Sequence, residues 1–283
     1  MLRLAAFDLD GTLFTSASAI SPGNRAALDH IRRLGVMTVI ASGRPYEVIR
    51  QVMGSLDLDF AGSYCIAMNG AAVMRCGDDA EIAGLTVTGE SVREVAEFAF
   101  SQGAEVHAFS LERGLLLSAL NPYSAKEFFG GLVPYTVTDF LKIPAGELFR
   151  KVLMAAPPEI LDRAAGVVPE GIRRRFRMIR SLPTLLEFLD PAAGKGPALE
   201  RLAGILGVAP SEIIAFGDEE NDLDMLRFAG TGVAMGNASP ILKGMADYVT
   251  LTNDEDGVAH ALYRFFPPPG GGAPHLVRSR IPG

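Results

Sequence analysis

The first 68 residues alternate between short apolar runs and stretches with helical spacing. The apolar runs have the length of a β-strand and cover residues 3–8, 36–41 and 64–68. The first helical stretch begins at Ser21-Pro22, an N-cap residue followed by a proline suited to the first turn, and ends at Gly35. A second helical stretch covers residues 46–56. This alternation predicts a parallel sheet with helices on both faces.

The pattern changes between about residues 73 and 183. Strand-like runs there occur in pairs separated by helices, and examples are residues 105–110, 115–119, 152–155 and 173–180. Paired runs joined by short turns favour an antiparallel sheet, so we predict that this segment is an inserted α+β domain.

Alternation of strands and helices returns at residue 184 and continues to about residue 266. The strand-like runs are residues 185–189, 213–216, 232–235 and 248–250, and helices are predicted up to Leu206, from about Asn221 and after Ser239-Pro240. We therefore predict an α/β fold with a doubly wound, mainly parallel sheet in a discontinuous domain, residues 1–82 and 184–266, around an α+β domain, residues 83–183. Residues 267–283 are rich in proline and glycine and are predicted to form a disordered tail.

Composition and cysteine content indicate a folded protein of a reducing compartment. At 283 residues, 48% of them hydrophobic, the chain is long enough for two modest domains with buried cores. Cys65 and Cys76 are too few for a disulfide framework. Asp8 and Asp10 come too early for a signal peptide, and nowhere do eighteen apolar residues run together. We expect a cytoplasmic protein with no membrane partner.

The net charge of −7 bears on possible partners. Binding to a nucleic-acid backbone relies on clustered lysine and arginine, so nucleic acid is not expected as a partner. The overall charge also gives no attraction to an anionic substrate, and exposed charges are screened beyond roughly 8 Å in cellular salt. Attraction must therefore be local, and Lys195, Arg44 and a bound divalent cation are the candidates.

Two carboxylates stand where the first apolar run ends. Asp8 and Asp10 lie in residues 8–12, DLDGT, and Gly11 allows the chain to turn away from the sheet. An ionised carboxylate at the edge of a core is costly to desolvate unless a cation or a proton compensates it. The pair therefore indicates a metal ion, and the two side chains can flank one reacting centre.

Three further polar segments occupy equivalent positions. Ser42 follows an apolar run in residues 41–45, ASGRP, and Lys195 precedes a helical pattern in residues 194–196, GKG. Asp218 begins an acidic segment after the run 213–216. All four polar segments lie at the carboxyl end of a predicted strand or in a loop that enters a helix. In an open α/β sheet that is where ligands bind.

The four segments, in this order, resemble the four signature motifs of the haloacid-dehalogenase-like phosphohydrolases. Asn69-Gly70-Ala71, the insertion of about a hundred residues after it, and the return at residues 186–191, LEFLDP, resemble the Cof-type group with a large α/β cap of type IIB. The resemblance covers about residues 1 to 266. It implies a Rossmann-like core with an inserted cap domain.

The resemblance assigns catalytic and metal-binding roles to the acidic residues. Asp8 is the expected nucleophile, which forms an aspartyl-phosphate. Asp10 is the expected general acid and then general base, and the family implies that its metal contact is through the backbone carbonyl. Asp218 resembles the third protein contact to Mg²⁺, a cation that suits carboxylate and carbonyl oxygens. Asp222 is predicted either to bind the metal directly or to support its shell or Lys195.

The remaining candidates are expected to hold the phosphoryl oxygens, because phosphoryl transfer depends mostly on positioning and charge stabilisation. Ser42, the backbone N–H of Gly43 and Lys195 fit this task. Arg44 has two possible roles at this point, a contact to the substrate or a structural ion pair. Asn221, at a helix start, is a candidate for the phosphoryl group or the metal's water ligands.

The sequence therefore predicts a magnesium-dependent phosphatase for small phosphate monoesters such as sugar phosphates. A phosphosugar mutase with the same intermediate and a non-catalytic protein that binds phosphorylated metabolites are the alternatives. Neither the physiological substrate nor the oligomeric state follows from the sequence. Residues 173–180 are predicted to be a strand with Arg173, Arg175 and Arg177 on one face, either a solvated edge or, as a hypothesis, a surface facing the active site.

Overall fold

The computed structural model of the protein describes residues 1–55, 62–124 and 131–268. The strands in these residues are β1 (Leu4–Phe7), β2 (Met37–Ala41), β3 (Tyr64–Ala67), β4 (Ala72–Arg75), β5 (Ala80–Gly84), β6 (Val87–Thr88), β7 (Glu105–Ser110), β8 (Gly114–Leu117), β9 (Tyr135–Val137), β10 (Leu148–Ala155), β11 (Arg177–Leu182), β12 (Leu185–Leu189), β13 (Ile213–Gly217), β14 (Thr231–Ala234) and β15 (Tyr248–Val249). The α-helices there are α1 (Pro22–Arg33), α2 (Tyr46–Ser55), α3 (Gly89–Ser101), α4 (Pro158–Gly166), α5 (Glu170–Arg175), α6 (Lys195–Leu206), α7 (Leu223–Phe228), α8 (Pro240–Met245) and α9 (Gly257–Phe265).

The chain divides into two compact units. The first unit comprises Met1–Val39 and Val208–Gly283, and the second unit comprises Ile40–Gly207, so that the division falls inside β2. The predicted domain limits, residues 1–82 with 184–266 around 83–183, stay a prediction. The predicted disordered tail lies outside the described residues from residue 269 onward, as does the last residue of the predicted helix 46–56.

The first unit is built on parallel strands in the order β15-β14-β13-β1. Every residue of β1 and β13 is buried, which is typical of strands covered on both faces. The register pairs Phe7 with Phe216, and their rings stack with centroids 4.9 Å apart. Because both strands run in the same direction, the residues that follow them emerge at the same edge of the sheet.

Helix α1 begins and ends as the sequence predicts. The Ser21 hydroxyl accepts a hydrogen bond from the Asn24 backbone N–H at 3.1 Å, and Pro22 occupies the first helical position, where no N–H is needed. Gly35 follows the helix with a φ of +78°, a conformation that glycine adopts at low cost. The Asn24 side chain in turn accepts from the Ala259 backbone N–H at 2.9 Å, which fixes α1 against α9.

The second unit contains two groups of strands. Strands β3, β4 and β5 form an antiparallel meander. A separate sheet has the order β11-β12-β10-β7-β8-β9, with β6 also paired to β10, and all its described pairs are antiparallel except β8 with β9. Helix α3 packs on this sheet, since Val92, Val95 and Ala99 share one apolar cluster with Val152 and Met154. The predicted antiparallel sheet is thus confirmed.

The prediction of one strand over residues 173–180 is wrong. Residues Glu170–Arg175 form α5 and only Arg177–Leu182 form a strand. Helix α5 is favoured by buried Ile172 and by an ion pair one turn apart, in which Arg174 Nε lies 2.7 Å from Glu170 Oε1. Arg173 and Arg175 are therefore helical residues and do not share a strand face with Arg177.

A buried histidine lies in β7. His107 Nε2 is 3.0 Å from the Ser124 hydroxyl, whereas Nδ1 has no hydrogen-bond partner in the described residues. Burial, assisted by the positive charge of Lys151, lowers the pKa of His107 to about 4. The neutral imidazole is the form that the fold accepts.

Stability is therefore expected to fall on mild acidification. In the unfolded chain His107 takes up a proton below pH 6.5, whereas in the folded protein it stays neutral down to about pH 4. The free energy of unfolding is therefore at its full value above pH 6.5 and decreases as the pH falls below it. We expect the unfolding free energy to drop by about 2 kcal/mol between pH 7.5 and 5 from this residue. Urea unfolding at both pH values measures the drop, and His107→Gln should remove it. An equal drop in that variant would contradict the assignment.

Candidate active site

Three buried carboxylates meet in the first unit. Asp8, Asp218 and Asp222 each offer a carboxylate oxygen, and these oxygens lie within 4.8 Å of one another. Asp8 directly follows β1 and Asp218 directly follows β13, so the parallel register of these strands brings the two side chains together. Residues 210 positions apart in the chain thus form one acidic cluster, as the sequence predicts for the edge of the sheet.

Asp222 holds the turn after β13. Its Oδ2 accepts hydrogen bonds from the backbone N–H groups of Asp218, at 3.0 Å, and Glu219, at 3.2 Å. The Asp218 backbone carbonyl also accepts from the Ser239 N–H at 2.9 Å, at the start of α8. The carboxylate of Asp222 therefore supports the position of Asp218, whichever of its oxygens serves as a ligand.

The loop after β1 passes directly over Asp218. The Thr12 hydroxyl donates to Asp218 Oδ1 at 2.8 Å. A Cβ atom at Gly11, whose φ is +82°, would lie 2.2 Å from Asp218 Oδ2, so only glycine fits there. The Asn237 side-chain amide donates to the Gly11 carbonyl at 2.8 Å and holds the loop from the other side. Thr12 and Asn237 were not predicted from the sequence as site residues.

The acidic cluster has the electrostatic character of a cation site. Burial and, next in size, the negative charge of Asp222 together raise the pKa of Asp218 to about 6, while hydrogen bonds from Thr12 and with Asp8 oppose the shift. Buried carboxylates that repel one another are stabilised by a positive charge between them. Carboxylate oxygens are the ligands that Mg²⁺ prefers, and the three residues therefore fit this ion.

Asp10 and Asn221 lie close to the cluster residues in the chain, and Asp10 is not one of the three clustered carboxylates. Asp10 stands in the turn after β1, pairs with Phe14 through the backbone, and has an exposed side chain. Asn221 is half-buried in the helical turn Glu220–Asp222 that precedes α7. Their roles stay predictions, Asp10 as proton donor and backbone ligand and Asn221 as a contact to the phosphoryl group.

In the second unit, β3 and the segment that follows it hold the loop after β2 through backbone hydrogen bonds. The Ser42 N–H donates to the Ile66 carbonyl at 2.8 Å, the Asn69 N–H donates to the Ser42 carbonyl at 3.0 Å, and the Met68 N–H donates to the Arg44 carbonyl at 2.9 Å. The Ser42 hydroxyl also accepts from the Arg44 N–H at 3.2 Å. Ser42 is buried while Gly43 and Arg44 are half-buried. The loop that carries three predicted phosphate contacts therefore has a fixed backbone.

Lys195 is the first residue of α6 and is only 1% exposed. Gly194 precedes it with a φ of 142°, and its carbonyl accepts the Ala198 N–H at 3.0 Å. A Cβ atom at Gly70 would lie 2.2 Å from that carbonyl, so the two loops approach each other as closely as glycine permits. Burying an ammonium group is costly, so the surrounding structure has to compensate the positive charge of Lys195.

A buried polar network that the sequence analysis missed lies behind the Ser42 loop. Glu187 Oε2 accepts from the Asn69 side-chain amide at 3.1 Å, and Glu187 Oε1 lies 3.0 Å from Lys151 Nζ. Both charged residues are buried. The signal in the sequence was a charged residue next to apolar strand residues: Glu187 is the one charge in LLEFL of β12, and Lys151 stands beside Arg150 in LFRKVLMA of β10.

We expect Glu187 to position the loop rather than to touch substrate. Glu187→Ala releases Asn69, so the affinity for a phosphate ester and for inorganic phosphate as a competitive inhibitor should fall about tenfold. The double variant Lys151→Met/Glu187→Gln leaves an acceptor for Asn69 and no unpaired buried charge, and should recover most of the loss. Exposed Glu159→Ala is the control. Unchanged inhibition by phosphate in Glu187→Ala would show that the network serves folding alone.

Comparison with known proteins identifies the family. The model of the haloacid dehalogenase-like hydrolase family matches residues 5–262. The chain belongs to this family. A haloacid dehalogenase-like hydrolase from Bacteroides thetaiotaomicron superposes with a TM-score of 0.82 at 33% identity, covering 94% of this chain and 100% of that one.

Two further relatives place this hydrolase among the phosphatases. An HMP-PP phosphatase of Serratia proteamaculans (strain 568) is 30% identical over 274 residues, which cover 95% of this chain and 97% of the relative. The subclass IIB sugar phosphatase BT4131 has a TM-score of 0.79 at 25% identity, over 93% of this chain and 99% of that one. The predicted resemblance to Cof-type hydrolases and the predicted α/β core with an inserted cap are confirmed, and this hydrolase is an enzyme of the phosphatase type. In the described part of the chain, no helix has the length and apolar character needed to cross a membrane.

Proposed function

We propose that the protein is a magnesium-dependent phosphatase that hydrolyses small phosphate monoesters through an aspartyl-phosphate intermediate. The observation that carries this proposal is the buried cluster of Asp8, Asp218 and Asp222 at the ends of adjacent parallel strands. Membership in this hydrolase family supports the proposal, since the family model matches residues 5–262, which include all three aspartates.

The reaction has two displacements at phosphorus. In the first, a carboxylate oxygen of Asp8 attacks the phosphorus atom, the bond to the alcohol oxygen breaks, and Asp10 donates a proton to that oxygen. In the second, Asp10 takes a proton from a water molecule whose oxygen attacks the same phosphorus. The bond to Asp8 then breaks, and inorganic phosphate and the original carboxylate are released.

The carboxylates of Asp8, Asp218 and Asp222 would hold Mg²⁺. The backbone carbonyl of Asp10 is a further proposed ligand. When bound, the ion supplies positive charge that offsets the charge of the phosphoryl oxygens. Asp222 also keeps the turn of Asp218 in place through two backbone hydrogen bonds. Asp10 is not one of the three clustered carboxylates and its side chain is exposed, and we assign the proton transfer to it.

Ser42, the Gly43 backbone N–H and Lys195 are proposed to hold the phosphoryl oxygens, with Arg44 and Asn221 as further contacts. The fixed backbone of the Ser42 loop supports this assignment, because donors that need no rearrangement stabilise developing charge best. The buried ammonium group of Lys195 supports the assignment too, because a positive charge that is shielded from water attracts phosphoryl oxygens more strongly than an exposed one.

Small phosphorylated metabolites, such as sugar phosphates, are the proposed substrates, and the cytoplasm is the proposed location. One relative is named for HMP-PP and another as a sugar phosphatase, so relatives with the same fold are named for different substrates. A phosphosugar mutase is the alternative, because an aspartyl-phosphate can also be returned to a hydroxyl group of a sugar. A non-catalytic role is disfavoured by the presence of every predicted catalytic carboxylate.

A phosphate-release screen tests the proposal. Purified protein is incubated with a panel of metabolite monoesters, with 5 to 10 mM MgCl₂ or with EDTA in its place, at about neutral pH. We expect release of inorganic phosphate that falls at least about a hundredfold without the metal. Equal release with EDTA would refute the magnesium requirement, and an isomeric monophosphate without free phosphate would establish the mutase.

A further inference from the structure

A pocket of about 410 Å³ lies inside the second unit, next to the Ser42 loop. Pro45, which follows Arg44 in the chain, lines the pocket. Met68 lines it as well, and its N–H donates to the Arg44 carbonyl at 2.9 Å. The pocket therefore adjoins the proposed phosphate-binding loop, both through the next residue of the chain and through the partner of the Arg44 carbonyl. A volume of this size suits a small organic ligand.

The lining is mainly apolar and includes groups that pack well against flat rings. Phe109 and Tyr135 contribute aromatic rings, and Met68 and Met74 contribute polarisable thioethers that make favourable contacts with aromatic rings. Leu111, Leu132 and Tyr135 remain 38 to 48% exposed although they are large and apolar. A ligand that covered these side chains would remove apolar surface from water.

Both arginines of the lining, Arg113 and Arg150, are already paired with carboxylates, and the other charged lining residues are the carboxylates Glu47 and Glu81. Arg113 Nη2 lies 2.7 Å from Glu147 Oε2, and Arg113 Nε donates to Glu147 Oε1 at 2.9 Å. Arg150 pairs with Glu81, and it also donates to the Leu85 carbonyl at 3.2 Å. These pairs leave no net charge in the arginine part of the lining, so a second anionic group on the ligand gains little there.

The hydroxyl of the lining residue Ser110 already forms hydrogen bonds within the protein. It donates to Glu147 Oε1 at 2.6 Å and accepts from the N–H groups of Glu112 and Arg113 at 3.2 and 3.1 Å. A sugar placed here would lose hydrogen bonds to water that the paired arginines and Ser110 do not replace, and unpaired buried hydroxyls are costly.

We infer that this pocket binds the alcohol part of the substrate and that this alcohol carries a flat, uncharged ring, aromatic or heteroaromatic. The inference rests on the proposed phosphatase function and narrows it, because free sugar phosphates become poor substrates. The phosphoryl group lies at the Ser42 loop and the ring lies among Met68, Phe109 and Tyr135.

A matched pair of esters tests the inference. 2-Phenylethyl phosphate and glycerol 1-phosphate both release a primary alcohol, so a difference in kcat/KM reports on the pocket more than on the leaving group. We expect kcat/KM to favour the phenylethyl ester at least about tenfold. Tyr135→Ser and Leu111→Ser, changes at exposed side chains, should each lower that preference about fivefold. Val167→Ser, at a side chain 57% exposed outside the pocket, should leave the preference unchanged.

Direct binding separates this inference from the phosphatase proposal. 2-Phenylethanol, the product alcohol, is titrated into the protein by calorimetry or NMR, and we expect binding that Tyr135→Ser weakens about fivefold. If glycerol 1-phosphate or glucose 6-phosphate is hydrolysed as well as the ring ester, the pocket inference is overturned while the phosphatase stands. If no ester is hydrolysed, the phosphatase proposal fails, and the alcohol titration alone decides the pocket, with absence of binding overturning it.

Discussion

Asp8→Asn is expected to reduce kcat for phosphate release by about 10⁴-fold or more, because it removes the attacking group itself. An amide nitrogen or oxygen is a poor nucleophile, and a neutral side chain also contributes less to a cation site. Asparagine has nearly the same shape as aspartate, so the buried position after β1 should accept it without unfolding. Steady-state phosphate release and a rapid-quench search for the phosphorylated enzyme measure the two consequences.

Asp29→Asn is the matched control for this variant. Asp29 lies on α1 in the same unit, its side chain is 52% exposed, and it faces Arg32 at 3.6 Å. Activity of this control should stay within about twofold of the unaltered protein, as is usual for surface changes. Substantial turnover by Asp8→Asn, with the variant folded and freshly purified so that deamidation is excluded, would refute covalent catalysis by this residue.

Lys195→Met should lower kcat/KM by about 10² to 10³-fold, since it removes a buried positive charge proposed to stabilise the phosphoryl oxygens. Methionine fills much of the space of the lysine stem and carries no charge that has to be desolvated at this buried position. Inhibition by inorganic phosphate should weaken in parallel, because the product presents the same oxygens. Enzyme assays with phosphate as a competitive inhibitor measure both effects.

A surface lysine provides the comparison. The Lys142 side chain is 83% exposed and pairs with Asp139 at 3.0 Å, so Lys142→Met should change neither kcat/KM nor inhibition by phosphate. Lys195→Arg is not expected to rescue activity, because the larger guanidinium does not fit a position that is 1% exposed. Lys195→Met with normal phosphate inhibition would exclude this lysine from phosphate binding.

Local sequence signals predicted helix ends well. The Ser21-Pro22 and Ser239-Pro240 pairs both begin helices, with the serine hydroxyl accepting a backbone N–H in each case. Capping depends on residues three positions apart, so it is readable without knowing the rest of the fold. Lys195 likewise begins α6, and the helix ends at Leu206 as predicted, before Gly207 in a left-handed conformation.

In residues 173–180 the local sequence pattern predicted the wrong secondary structure. Alternating arginines have the period of a strand, but Arg173 and Arg175 lie on a helix whose single buried anchor is Ile172. Six residues contain too few apolar positions to distinguish a period of 2 from one of 3.6. Packing against the apolar cluster that contains Ile172 decided between them.

The sequence by itself determined the family, the alternation of elements and the identity of the acidic, serine and lysine motifs, because each depends on residues close together in the chain. Only the tertiary structure decided which of these groups meet. Strand register joins Asp8 to Asp218, and side-chain contacts tie Glu187 to Asn69 and to Lys151. Such contacts join residues 36 to 210 positions apart, and no spacing pattern encodes them, since they follow from how the strands pair and what the core buries.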